Sequence, residues 1–387
     1  MDEIYEPRED SFFLKEEIKN YAHSLVLDIG TGSGIQALEA SKYASKVYAV
    51  DINSAAIKNL KKTIRKNKIK NIIAVKSDLF SSLKKIKFDL IIFNPPYLPS
   101  DKKYPDKALD GGKRGFELIE RFFEEASAFL KPTGLILLVF SSLTNKNKVD
   151  EVIIRHLFDF KLIGTKKLFF EQLFLYKISK SVLLQELEEL EIKDIVYFSR
   201  GKRGIIYTGF LKNKKIAIKV KRKEAVVDKI SNEGYWLKIL NKKNIGPKLI
   251  HGKENFLVYE FVEGLFIIDF IEKSNKITVK SVLKDILKQC FIMDELDINK
   301  LEMHRPIKHI IVTESKNVVL IDFERTKKTN EPKNVTQFCQ FLISKHIAQI
   351  LILKKILINE NTMIELCKNY KNNPTEQNFE EIVELIK

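Results

Sequence analysis

Between Leu25 and Phe140 the chain repeats one arrangement, a short apolar run that ends in a turn signal: SLVLDIG, KVYAVDI, NIIAVKSD, FDLIIFNPPY and GLILLVF. Stretches of helical period separate most of these runs, from Gly34 to Tyr43, Ser54 to Asn67 and Gly115 to Leu130. Continuous apolar runs spaced by helices of about 10–15 residues are the pattern of βαβ units, whose parallel sheet is covered on both faces. The first half is therefore expected to be a doubly wound α/β domain. Two later runs, Phe158 to Thr165 and Leu173 to Ile178, are expected to add an antiparallel edge pair and bring the sheet to about seven strands.

The polar segment KISKS at 177–181 marks a seam, predicting domains over 1–180 and 181–387. After it the rhythm changes. Leu183 to Glu191 reads as a helix, Ile195 to Val220 as three short strands with turns at Gly201, Gly204 and Gly209, and Val226 to Asn241 as a helix. The strand-like runs PKLIHG and FLVYEFVEG follow, and the remainder is mostly helical, broken by the pair HIIVT and VVLIDF. Strands first and helices afterwards predict a two-lobed α+β unit.

The formal net charge is +16, which raises the question of an anionic partner. The excess is spread evenly, with 31 Lys and Arg against 23 Asp and Glu in residues 1–180, and 36 against 28 in residues 181–387. A dedicated nucleic-acid arm would concentrate it, so nucleic acid is not specifically indicated. The greasiest late stretch, Phe341 to Ile358, is broken by Lys345, His346, Lys354 and Lys355, and no run reaches the roughly 18 apolar residues of a membrane span. The opening MDEIYEPRED is acidic, unlike a secretory leader, and Cys290, Cys339 and Cys367 are too sparse for a disulfide framework. A cytoplasmic protein with inert cysteines is expected.

The chemistry of the first half starts at Val26–Gly34, VLDIGTGSG, where a strand meets a helix. Gly30, Gly32 and Gly34, with Thr31 among them, allow a tight turn and close approach of a nucleotide-like ligand to backbone N–H groups. Asp28 lies inside the motif, where a carboxylate would face a cationic ammonium and repel a pyrophosphate. S-adenosylmethionine fits this arrangement better than NAD. Asp51 ends the second strand, where an acid accepts from ribose hydroxyls, and Asp78 ends the third, within reach of an adenine amino group. Asn94-Pro95-Pro96-Tyr97 ends the fourth. An amide or aryl amine is a poor nucleophile because its lone pair is delocalised. The Asn94 side-chain oxygen and a backbone carbonyl fixed by Pro95 would accept both its N–H protons and raise electron density on nitrogen. Tyr97 would stack on the planar acceptor.

With these motifs, the segment YEPREDSFFL (Tyr5–Leu14), NPPYLP and ALDGGKRG (Ala108–Gly115) resemble the HemK family of protein glutamine methyltransferases, in its archaeal and eukaryotic branch, over about residues 1–178. The resemblance implies a Rossmann-like, seven-stranded class I methyltransferase. It also implies methylation of the glutamine in the Gly-Gly-Gln loop of a class 1 release factor, and a small zinc-binding activator protein as partner. By position it implies that Ser11, Asp28, Gly30, Asp51, Asp78 and Leu79 hold S-adenosylmethionine, and that Asn94, Pro95 and Tyr97 orient the substrate amide. The alternative is adenine-N6 methylation of DNA or RNA, since an exocyclic amine presents the same two protons. Such an enzyme must flip a base and grip phosphates, and no segment of the first half reads as a module for that.

In the second half, Ser199–Gly209 carries Gly201 and Gly204 between two strand patterns, IAIKV contains Lys219, and Glu233 follows on the next helix. Tyr259–Gly264, with Glu260 and Val262, resembles a hinge that binds adenine, and LIDFE places Asp322 where a metal-binding D-F-G segment would be, with Glu324 in place of glycine. Over about residues 193–330 these pieces resemble lipopolysaccharide-kinase and RIO-type atypical kinases. The resemblance implies ATP, and magnesium held by Asp322. It departs at MHRPIKHIIV: aligning His304-Arg305 with H-R puts Pro306 and Ile311 at the catalytic Asp and Asn, whereas aligning the following strand puts His304 and His309 there. Neither restores the carboxylate, so phosphotransfer, a pseudokinase and an interaction scaffold stay open.

Overall fold

The computed structural model describes residues 5–84, 86–97, 112–201, 204–222 and 230–386. The chain divides into two compact units, Met1–Ile192 and Lys193–Lys387.

The first unit runs α1 (Glu9–Tyr21), β1 (Leu25–Ile29), α2 (Ile35–Ala40), β2 (Lys46–Asp51), α3 (Ser54–Lys66), β3 (Ile72–Lys76), β4 (Phe88–Phe93), α4 (Glu117–Phe129), β5 (Leu130–Ser141), α5 (Lys146–Arg155), β6 (Phe158–Lys167), β7 (Gln172–Lys180) and α6 (Val182–Glu189). All seven strands form one sheet in the order β3-β2-β1-β4-β5-β7-β6. β1 to β5 pair in parallel. β7 is antiparallel to both β5 and β6, so β6 runs with the parallel strands and only β7 opposes them. The expected edge pair is thus a strand at the edge and a strand inserted beside β5. The short β6–β7 turn permits only an antiparallel return, whereas the α5 crossover lets β6 skip one position.

The register sets the site. Ile29 pairs with Val50 on one side and Phe93 on the other, so Gly30 and Asn94, just past their strands, and Asp51, the last residue of β2, lie side by side at the carboxyl edge. Core residues are apolar on both faces, as a covered parallel sheet requires. Val26, Val47, Leu90, Ile92 and Val139 pack with Leu14, Ile18, Ala37 and Ile57 on one side. On the other, Phe93 stacks on Phe122 with ring centroids 4.4 Å apart, and Phe123 meets Phe158 edge-on at 5.3 Å. α3 begins at an Asn53 cap, whose side chain accepts from the Ala55 N–H at 2.8 Å, and ends on Arg65 and Lys66, favourable against its dipole. α6 belongs to this unit, where Lys180 of β7 holds Glu188 at 2.6 Å.

In the second unit β8 (Lys193–Arg200), β9 (Gly204–Leu211), β10 (Lys214–Lys221), β11 (Leu249–Gly252) and β12 (Phe256–Glu260) form an antiparallel sheet in the order β11-β12-β10-β9-β8, with α7 (Ile230–Leu240) against it. The start expected for that helix, Val226, lies outside the described residues. There follow β13 (Leu265–Phe266), α8 (Ile267–Lys273), α9 (Lys276–Glu295), β14 (Ile298–Asn299), β15 (Ile310–Val312), β16 (Val318–Leu320), β17 (Lys327–Lys328), α10 (Asn334–Ile343), α11 (Lys345–Leu353), α12 (Glu360–Asn372) and α13 (Glu376–Glu384). Val282, Leu283, Ile286 and Leu287 of α9 bury against Phe338 and Leu342 of α10. Asp294, in the last turn of α9, accepts from the Asn334 and Val335 N–H groups and the Tyr370 hydroxyl, which satisfies free donors at the start of α10. No helix among the described residues is long and apolar enough to cross a membrane.

Candidate active site

The Gly-rich turn is built by left-handed backbone at Gly30 (φ +67°), Gly32 (+51°) and Gly34 (+87°), where a β-carbon is disfavoured. The glycines differ in what surrounds them. A Cβ at Gly34 would lie 2.5 Å from Leu60 Cδ1, so this glycine lets α2 and α3 approach. A Cβ at Gly30 would meet nothing within 4 Å: its outer side is open. Asp28 is buried, and its Oδ2 accepts from Thr31 Oγ1 at 2.6 Å and from the Ala37 N–H at 3.1 Å. Burial pushes its carboxyl up to about 7, against those hydrogen bonds. That oxygen orders the turn from within, a role the sequence did not suggest for a residue expected to face an ammonium.

Asp51 accepts from the Gly32 N–H with Oδ2 and from the Asn53 N–H with Oδ1, each at 2.8 Å, which clamps the turn to the end of β2. Burial raises its carboxyl despite both bonds. Asp78 and Leu79 follow β3. Leu79 is buried with φ +47°, its carbonyl held by Ser77 Oγ at 2.8 Å, and Asp78 pairs with Arg121 of α4 at 2.8 Å.

Asn94 is the decisive residue. Its Nδ2 donates to Asp10 Oδ2 at 2.7 Å, while its Oδ1 is buried and accepts no hydrogen bond. A carboxylate only accepts, so Asp10 fixes which end of the amide faces which way. The Tyr5 hydroxyl holds the other Asp10 oxygen at 2.9 Å, and Tyr5 packs over Gly32. Ser11 is buried, its carbonyl bound by Gln36 Nε2 at 2.8 Å. Tyr97 is buried, and its carbonyl accepts from Thr144 Oγ1 at 2.5 Å. Burial, then the carboxylates of Asp10 and Glu171, push its phenol well up, so it stays protonated. Sequence reasoning missed Tyr5, Asp10, Thr144 and Glu171 as site residues. Residues 98–111, which hold the first half of ALDGGKRG, lie outside the described set.

A single-atom orphan acceptor beside an open glycine turn is a place for a planar N–H donor next to a nucleotide-like ligand. Residues 9–169 match the methyltransferase small domain family. A Methanocaldococcus jannaschii protein named as an N5-glutamine methyltransferase is 41% identical over 152 residues, covering 38% of this chain and 76% of the relative. The chain belongs to the HemK family of glutamine methyltransferases. Its HemK-type unit is also 34% identical to a release factor glutamine methyltransferase of Thermodesulfovibrio yellowstonii, over 29% of this chain and 45% of that protein. Among solved structures, the E. cuniculi Mtq2–Trm112 complex, responsible for methylation of the termination factor eRF1, aligns at 25% identity over 47% of this chain and all of that one, with a TM-score of 0.39.

The second unit gathers charged groups around Lys219 of β10. Its Nζ lies 2.6 Å from Glu233 of α7, 2.8 Å from Glu324 and 3.2 Å from Asp322. Burial alone would pull this ammonium down, but the three carboxylates hold it well above the usual lysine value. The oxygens of Glu233, Asp322 and Glu324 lie within 4.8 Å of one another. Lys300 is buried and donates to the Asp322 carbonyl at 2.5 Å. His309 brings Nδ1 to 3.8 Å from Asp322 Oδ2, and burial lowers its imidazole. His304 is exposed, and its Nδ1 lies 3.0 Å from the Leu301 carbonyl; among the described residues no hydrogen bond or ion pair joins it to Lys219 or Asp322. Gly201 and Gly204 close a turn at 2.9 Å, and a Cβ on Gly204 would lie 3.5 Å from the Lys219 stem. The Glu260 N–H is bound to the Lys248 carbonyl at 3.0 Å, and Val262 follows two residues on, half-buried. Glu324 and Lys300 are the members of this cluster that sequence reasoning did not assign.

Proposed function

We propose that the first unit transfers a methyl group from S-adenosylmethionine to the side-chain amide of the glutamine in the Gly-Gly-Gln loop of a class 1 release factor. The observation that carries this reading is the buried, unpartnered Asn94 Oδ1, aimed by Asp10. The residues suit the cofactor: open space at Gly30 admits it, Asp51, Asp78, Leu79 and Ser11 are assigned to its ribose, adenine and amino acid ends, and Asp28, Thr31, Gly32 and Gly34 shape the turn. S-adenosylmethionine supplies an electrophilic methyl on a sulfonium. Asn94 Oδ1 accepts one amide N–H and the Pro95 carbonyl the other, which raises electron density on the nitrogen as it attacks. Asp10 prevents the Asn94 amide from turning its NH₂ toward the substrate, a flip that would set donor against donor. Tyr97 gives an apolar wall against the amide plane. One of the two amide protons leaves along these hydrogen bonds, and the product is a neutral secondary amide.

Full chain incubated with isotopically labelled cofactor and a cognate release factor is expected to label that glutamine. Label found only in DNA or RNA would favour adenine methylation and overturn the reading. A small zinc-binding activator protein is proposed as partner, tested by whether its addition raises turnover.

For the second unit we propose a kinase-like ATP site, with Lys219 held by Glu233, magnesium at Asp322, Gly201 and Gly204 over the phosphates, and Glu260 to Val262 along the adenine. The Lys219–Glu233 pair at 2.6 Å with Asp322 at 3.2 Å supports it. His304 bonds back to its own segment, and among the described residues no hydrogen bond or ion pair joins it to Lys219 or Asp322, which favours binding over transfer. Nucleotide titration with and without magnesium decides. Phosphate transfer lost in Lys219→Ala identifies an enzyme, binding alone a pseudokinase, and no binding a scaffold.

A further inference from the structure

The β6–β7 hairpin carries a feature that neither the turn nor the sheet requires. Because β6 runs parallel to β4 and β5, the hairpin tip falls at the same carboxyl edge as Asn94. The tip is closed by the Leu168 N–H bonded to the Glu171 carbonyl at 2.8 Å. It is tied to the site at two places. Gln172 and Ser142 exchange hydrogen bonds at 2.8 and 3.0 Å, two residues before Thr144, which holds the Tyr97 carbonyl. Lys166 is ion-paired with Glu9, next to the Asp10 that aims Asn94.

On this tip Phe169 and Phe170 are 91% and 86% exposed, more than any other large apolar side chain among the described residues. Their rings meet edge-on at 4.6 Å. The next residue departs from expectation in the opposite sense. Glu171 Oε2 is buried and has no hydrogen-bond partner, and its carboxylate helps to raise both Tyr5 and Tyr97. Two phenyl rings in water and a carboxylate oxygen out of it each disfavour the free molecule, and one docked partner relieves both.

We propose that this tip docks the protein substrate: Phe169 and Phe170 pack on an apolar surface beside the loop that carries the target glutamine, and Glu171 accepts a backbone N–H from that loop. The occupant follows from the surroundings. The hairpin is continuous with the methyl-transfer site, which the substrate must enter, and a loop rich in glycine presents bare N–H groups to a buried acceptor. A nucleic acid would instead bring phosphates against Glu171 and Glu9. The proposal rests on the glutamine-methylation reading of the first unit.

The test compares full chain, the double variant F169A/F170A and Glu171→Gln on two substrates, an intact release factor and a free peptide containing Gly-Gly-Gln. For F169A/F170A the preference for intact factor over peptide, as the ratio of kcat/KM values, is expected to fall about tenfold, chiefly through KM for the factor. Glu171→Gln is expected to raise KM for both substrates about tenfold with kcat changed less. Thermal melting of each variant at the parental temperature excludes misfolding as the cause. Parental chain that methylates the factor while the variants keep its KM and its preference overturns the docking site alone. Parental chain that methylates neither substrate overturns the glutamine reading and the docking site with it.

Discussion

An asparagine amide is nearly symmetric in shape, and only its neighbours decide which end is oxygen. Here Asp10 decides it, by accepting from Asn94 Nδ2 at 2.7 Å and leaving Oδ1 without a partner. Asn94→Ala is therefore expected to abolish turnover and leave cofactor affinity within about threefold, because in the proposed reaction the side chain serves the transition state rather than cofactor binding. Asp10→Ala should lower kcat by roughly 10- to 100-fold, less than the loss of a direct electrostatic partner because Asp10 acts through Asn94, while cofactor titration changes little. Equal loss of kcat and of cofactor affinity in either variant would mark the residue as structural. The NPPY run made Asn94 legible from its residue types and its place at a strand end. Asp10 was not legible in that role: it lies 84 residues away, and no spacing rule links an N-terminal helix to the fourth strand.

Among the elements, the Gly-rich turn separates shape from binding. Gly34→Ala would put a β-carbon 2.5 Å from Leu60 Cδ1 at φ +87°, and is expected to destabilise the first unit by about 2–4 kcal/mol, seen as a lower melting temperature. Gly30→Ala carries a similar backbone penalty of about 1–2 kcal/mol but meets no neighbour, so its added effect should be on cofactor affinity, at least tenfold weaker by titration. The reverse pattern would contradict a cofactor over Gly30. The strands themselves were legible, because a sheet buried on both faces leaves continuous apolar runs. The place of β7 inside the edge was not, since sequence gives the hairpin but not the strand position that α5 skips. Asp28 was read from the motif alone; the fold turns its Oδ2 inward to Thr31 and Ala37, a use visible only once α2 is in place.

At the scale of the molecule, two units of similar size each have their own buried ionisable groups. The Asp28 carboxyl, near 7 when folded and near 3.8 otherwise, binds more protons in the native state between those values. Its contribution is thus present below about pH 4 and lost as pH rises toward 7, by up to roughly 4 kcal/mol for the full shift. Asp28→Asn keeps an acceptor for Thr31 and Ala37, so its melting temperature should fall less than that of the parent between pH 4 and 8; parallel curves would contradict the shift. In the second unit the order of Lys219, Glu233 and Asp322 was legible, and the structure draws them together. What a strand-based alignment did not reveal is that His304 turns onto its own segment, because a short helical turn, not the strand, sets its direction. The central claim concerns one nitrogen. Mass spectrometry of the Gly-Gly-Gln peptide, released from a cognate factor after incubation with the full chain and methyl donor, reads it directly. The account predicts one methyl on the glutamine side-chain nitrogen with the parental chain and none with Asn94→Ala. An unmodified glutamine, or equal methylation by both proteins, would contradict it.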